Sequence, residues 1–200
     1  SAPIIHISAK NLPEQLLILQ HDSDAFNRWE AGQQLVVQAV LAALGAPELP
    51  ATPLPVQLLE VLRAILRDES LDASLRAMLL TLPAESYLAE QVQVLDAQKL
   101  HRVREAMRAQ LAQALHADWL AVFAAHSDTG AYAPTAKAAG QRALANLALA
   151  SICLQAVATG DTVWQGKTLQ RFKDAGNMTD RLGALLALVA VWLANRRQNA

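Results

Sequence analysis

The residues of this chain that could do chemistry are few, and their spacing argues against catalysis. The five histidines are His6, His21, His101, His116 and His126, and no two stand four apart. Two imidazoles must sit at that spacing to ligate one zinc from a helix face. No His-Glu-x-x-His occurs in the 200 residues, so neither a metal ligand nor a catalytic residue is expected. Ser23-Asp24 and Ser127-Asp128 lack a histidine base at defined spacing and read as turn residues. Gly166-Lys167-Thr168 has the ending of a phosphate-binding loop, but that motif needs glycine at position 161, which is aspartate here. A lysine on a helix surface is the better reading. Asn177-Met178-Thr179 has the form of a glycosylation sequon and reads as a helix cap. The single cysteine, Cys153, lies in an apolar run and reads as a small buried hydrophobe.

Two arginines stand apart from this background. Arg28 follows Asp24 at i,i+4, which allows an ion pair and makes Arg28 a clamp on the loop His21–Asp24. Its alternative role is to face a substrate. Arg142 lies among alanines and leucines, where a charge must find a partner or reach a water-filled space. Arg28 and Arg142 are therefore the candidate residues for lining a substrate cavity.

The elements that must position them are helical. Alanine supplies 40 residues, apolar residues make up 53% and aromatics 4%, a composition of good helix formers. Capping residues, glycines and prolines divide the chain into about nine helices, near 12–20, 24–45, 55–68, 72–82, 84–94, 96–125, 134–160, 161–175 and 179–197. Ser1–Ser8 read as a short extended segment. The row Val103, Met107, Leu111, Leu115, Trp119, Phe123 steps by four, drifting ~40° per step, so its apolar stripe meets more than one neighbour. Leu182–Ala194 is apolar for 13 residues, short of the ~20 of a membrane span, and is expected to be buried on all sides. The whole is expected to be all-α, an irregular superhelix of helical hairpins of the HEAT/ARM kind. A net charge of -1 gives no case for nucleic acid or an anionic membrane. With one cysteine and no basic leader at Ser1–Ile7, the cytoplasm is the expected compartment.

The run His21-Asp22-Ser23-Asp24-Ala25-Phe26-Asn27-Arg28-Trp29-Glu30-Ala31-Gly32-Gln33 closely resembles a signature in the C-terminal helical region of the bacterial aminopeptidase N family of zinc exopeptidases. Leu80-Thr81-Leu82-Pro83, the helix holding Val103-Arg104-Glu105-Ala106, Gln141-Arg142-Ala143-Leu144-Ala145-Asn146 and Asn177-Met178-Thr179-Asp180-Arg181-Leu182 resemble that family in the same order. The resemblance implies that residues 1–10 end a preceding β-sandwich or form a linker. Residues 11–200 would then be a truncated C-terminal helical domain. It implies a non-catalytic part of a hydrolase that removes N-terminal amino acids from peptides. Its partners would be the catalytic domain of the same polypeptide and peptide substrates. It also implies zinc in the parent enzyme and no cofactor in this piece. The other reading, which the residues alone favour, is a free-standing helical-repeat adaptor that binds a peptide or protein in its concave face.

Overall fold

The computed structural model describes residues 11–127 and 132–198, with side chains up to residue 193. The extended segment expected at Ser1–Ser8 and a boundary near residue 10 lie outside the described residues. So does most of the loop around Gly130.

Ten α-helices and no strand occur among the described residues: α1 (Leu12–His21), α2 (Ala25–Gly45), α3 (Val56–Arg67), α4 (Ala73–Leu80), α5 (Glu85–Glu90), α6 (Ala97–Ala114), α7 (His116–His126), α8 (Ala136–Thr159), α9 (Val163–Asp174) and α10 (Met178–Gln198). The caps act as short polar side chains should. Asn11, Asp24, Asp72, Asp96 and Thr135 each accept a backbone N–H from the first turn that follows. Asn177 accepts from the Asp180 N–H at 2.9 Å. Helix α8 ends at Gly160, whose φ of 74° is a left-handed conformation that favours glycine.

One helix expected to be continuous is two. The run 96–125 breaks at Leu115 (φ −106°, ψ 19°) into α6 and α7. No proline or glycine marks the break; side chains instead donate to carbonyls beside it. Arg63 Nη2 donates to the Ala114 carbonyl at 2.9 Å, and Trp119 Nε1 donates to the Leu111 carbonyl at 3.2 Å. Arg63 and Arg67 also meet Asp118 in the first turn of α7. The four-step row stays inside as far as Trp119: Val103, Met107, Leu111, Leu115 and Trp119 are buried, and Phe123 at its end is partly buried. They meet changing neighbours, since α6 packs on α2, α5 and α8 while α7 packs on α3 and α8.

Helix α8 is the hub, contacting α4, α6, α7, α9 and α10. By length and composition it could cross a membrane, but half of its apolar window is buried in the fold. Leu144, Ala145, Ala148, Leu149 and Ile152 are at most 1% exposed, which is how the central helix of a helical array behaves. One apolar cluster runs from α1 to α8; a second joins Leu149, Cys153 and Val157 to Ala184, Ala187 and Val191 of α10. Phe123 and Trp164 border both clusters and pack edge to face, with ring centroids 5.6 Å apart.

Helix α10 departs from expectation. It is not buried on all sides. Ala184, Ala187 and Val191 are buried, whereas Leu182, Leu185, Leu186, Val189, Trp192 and Leu193 are exposed. The small residues let α10 approach α8 closely on one face only: a side chain at Gly183 would run into Asn146. At the start of α2, Phe26 is 61% exposed and lies against the ring of Trp29, with centroids 5.8 Å apart.

Candidate functional site

The buried arginines are the charges this fold has to account for. Arg28 is the fourth residue of α2 and is 6% exposed. Its Nε donates to the Leu19 carbonyl, 2.9 Å away in the last turn of α1. The last carbonyls of a helix have no partner within it and carry the negative end of its dipole, so a guanidinium there satisfies both. The ion pair expected between Asp24 and Arg28 is not formed; Asp24 accepts the Phe26 N–H at 2.8 Å instead. Capping N–H groups close at hand outcompete a guanidinium that is already engaged. Arg28 is thus a clamp, but on α1 rather than through Asp24.

The same device recurs 48 residues later. Asp72 accepts the Ser74 N–H at 2.7 Å, and Arg76, fourth in α4 and 5% exposed, donates to the Leu66 carbonyl at 3.1 Å in the last turn of α3. Arg28 and Arg76 both lie near Asp68. That carboxyl is held below its ordinary range, first by hydrogen bonds from Ser70 and then by the two arginines. The spacing Asp24-x-x-x-Arg28 and Asp72-x-x-x-Arg76 was the signal in the sequence that would have found Arg76.

Arg142, 4% exposed, donates to the Ala133 carbonyl at 3.2 Å and lies 5.0 Å from the centroid of the exposed Tyr132 ring. Its Nε has no hydrogen-bond partner. Arg142 and Tyr132 therefore stack where the chain enters α8.

Arg76 Nη2 also meets His126 Nε2 at 3.2 Å. Because arginine only donates, that nitrogen must accept, and the ring is neutral with its proton on Nδ1. Burial, then the adjacent Arg76, push the His126 pKa down, against a smaller opposing pull from Glu69. A histidine depressed in the folded state favours the neutral form. Its contribution to stability is present above the unfolded value of about 6.5 and is lost as pH falls through the lower folded value. Thermal unfolding between pH 5 and 7.5 should show this acid loss, and His126→Gln should flatten it. An unchanged slope in the variant would assign the loss to other groups.

The sequence segments that carry the family resemblance are packing joints. Gln33 Nε2 reaches the Thr81 carbonyl at 3.4 Å, Arg104 Nε donates to the Pro83 carbonyl at 2.8 Å, and Asn146 Nδ2 donates to the Thr179 carbonyl at 3.3 Å. Where the second of these joints meets α6 and α8, a cleft of about 110 Å³ opens. Leu111, Trp119, Leu147 and Leu154 form its apolar wall, with Arg104 and Arg108 among its polar lining residues. Burial, then repulsion from Arg108, lower the pKa of Arg104. The cleft presents donors and apolar surface, and none of its lining residues is a thiol, carboxylate or imidazole. It is equipped to bind and holds no side chain of the usual acid–base types. Sequence reasoning missed it, because its walls come from segments 70 residues apart.

A family model described as a domain of unknown function, DUF3458_C, with ARM repeats, matches residues 13–200. The chain belongs to the DUF3458_C family. Aminopeptidase N of Escherichia coli K12 is 33% identical over 199 residues, covering 98% of this DUF3458_C chain and 22% of the relative. Aminopeptidase N of Caulobacter vibrioides is 31% identical over 193 residues, covering 96% and 21%. The crystal structure of Legionella pneumophila aminopeptidase A in complex with aspartic acid superposes with a TM-score of 0.76 at 25% identity, over 93% of this chain and 22% of that one. The chain therefore spans about a fifth of the length of these relatives. The all-α, ARM-like architecture and the kinship with aminopeptidase N both stand.

The remaining sequence candidates are structural in this DUF3458_C domain. Gly166-Lys167-Thr168 lies within α9, with Lys167 exposed over the Trp164 ring at 4.6 Å. Thr168 is fully buried and donates to the Trp164 carbonyl at 2.7 Å. Cys153, 1% exposed, contacts Thr168 Oγ1 at 3.2 Å, and burial pushes its thiol pKa up. Such a thiol is a poor nucleophile.

Proposed function

We propose that this chain is a non-catalytic helical domain of a zinc aminopeptidase that removes N-terminal amino acids from peptides, covering the catalytic domain and shaping the cavity by which substrates reach it. The observation that carries this reading is the alignment of 98% of the chain with only 22% of an aminopeptidase N. The chemistry then belongs to the other four-fifths. The catalytic zinc of such an enzyme calls for His-Glu-x-x-His, and these 200 residues have none, so they do not fit that catalytic centre and no reaction step is assigned to them. Their contribution is a rigid wall. Excluding bulk water strengthens electrostatics at reacting groups, and a narrow entrance admits chain ends and rejects folded proteins. Arg28 and Arg142 are the candidates for side chains facing that space. Arg142 is the better of the two, because its Nε is unengaged and it stacks on an exposed tyrosine. Its partners are a catalytic domain on the same polypeptide and peptide substrates, in a bacterial cytoplasm.

This reading makes the chain alone inert. Incubated with zinc and an alanine chromogenic anilide, it should release no chromophore above the zinc-only control. Turnover proportional to protein would overturn the proposal.

A further inference from the structure

We propose that Glu85, His101 and Glu105 form a binding site for a divalent transition-metal ion of zinc's class. His101 and Glu105 stand at i,i+4 on α6, so both side chains leave the same face one turn apart. Glu85, the first residue of α5, is brought against them by the packing of α5 on α6. One ligating atom from each of the three lies within 4.8 Å of the others, and His101 Nδ1 is 2.8 Å from Glu85 Oε1. Donor atoms on a tetrahedral zinc with bonds of ~2.0–2.1 Å stand about 3.4 Å apart. Adjustments on the order of 1 Å would therefore close the site, and these half-exposed side chains can make them. The side chains are 43%, 38% and 28% exposed for Glu85, His101 and Glu105. A shallow surface hollow lined by Ala97, Gln98, His101 and Arg102 adjoins the imidazole.

The donor set selects the ion. One imidazole nitrogen with two carboxylates suits zinc, cobalt, nickel or manganese better than the hard calcium ion, which prefers six or more oxygens. Three groups from two elements leave at least one coordination position for water. The neighbouring cations oppose binding. Arg108 pairs with Glu105 at 2.8 Å, and Arg104 lies close enough to Glu85 and Glu105 to feel both charges. A carboxylate has two oxygens and can serve an arginine and a metal together, and Arg104 is already tied to the Pro83 carbonyl. Bound metal would fasten the six-residue helix α5 to α6, and a ligand that binds only the folded state raises its stability by mass action.

The test uses the 200-residue chain stripped of metal, titrated with zinc chloride alone by calorimetry, with melting temperature as a second readout. One zinc per chain and a rise in melting temperature are expected. His101→Ala and the milder Glu105→Gln should each weaken binding at least tenfold, while His21→Ala, at the exposed end of α1, should leave it unchanged. Circular dichroism of each variant confirms the helical fold. The proposal fails if no stoichiometric zinc binds, or if binding survives both His101→Ala and Glu105→Gln undiminished.

Discussion

Trp119→Ala should destabilise the chain by about 3–5 kcal/mol, the usual cost of truncating a large buried aromatic. Three observations put it at the costly end of core substitutions. Trp119 is 1% exposed and belongs to the main apolar cluster. It borders a cleft, so the vacated volume would merge with space already present rather than collapse. Its Nε1–H also satisfies the Leu111 carbonyl beside the break between α6 and α7. Trp119→Phe separates these effects. It keeps most of the apolar volume and loses one of the two hydrogen bonds that the Leu111 carbonyl accepts, so the cost should fall to roughly 0.5–1.5 kcal/mol, the net worth of an ordinary hydrogen bond. Urea unfolding followed by circular dichroism reads both: the midpoint moves and the slope stays constant. A Trp119→Ala loss under about 1 kcal/mol would mean that the α6–α7 corner contributes little.

Gly140→Ala should be the most damaging single-methyl addition. The new Cβ would stand 2.8 Å from the Ser74 backbone nitrogen and 3.3 Å from its Cα, with the hydroxyl oxygen closer still. Those atoms form the capped first turn of α4, held by Asp72, and α4 packs on α8 at this point. Backbone cannot swing aside as a long side chain can, so the helices must separate. Overpacking of this kind costs about 1–3 kcal/mol or more, against less than 1 kcal/mol gained from alanine's better helix propensity. Adding Ser74→Ala removes the hydroxyl clash and leaves the backbone clash, so it should rescue only part of the loss. Full rescue would show that the hydroxyl alone sets the spacing.

Much of this architecture was readable in the residues, and the errors have physical causes. The helix starts marked by capping residues are real, with Asn11, Asp24 and Asp72 accepting first-turn N–H groups, and Asn177 caps as its reading as a helix cap implied. Cys153 is buried as its apolar surroundings implied. The break at Leu115 was not legible, because it is stabilised by Arg63 from α3, some 50 residues away, rather than by a local helix breaker. Arg28 shows the same limit. Spacing offered Asp24 as its partner, but the closing of α1 onto α2 supplied a carbonyl. Helix α10 misled in the other direction, since uniform apolarity does not say how many sides have a neighbour. The cleft between Thr81, Arg104 and Ser151 and the Glu85–His101–Glu105 group both need tertiary contacts that no short-range pattern encodes.

The most direct measurement compares an intact relative, Escherichia coli K12 aminopeptidase N, with the same polypeptide lacking the part that aligns with residues 11–200, each assayed on a short alanyl peptide and on a folded protein with an N-terminal alanine. The intact form should cleave the peptide and spare the folded protein, and removal should abolish that discrimination or cut the peptide rate at least tenfold. Unchanged rates and unchanged discrimination without the segment would contradict the account.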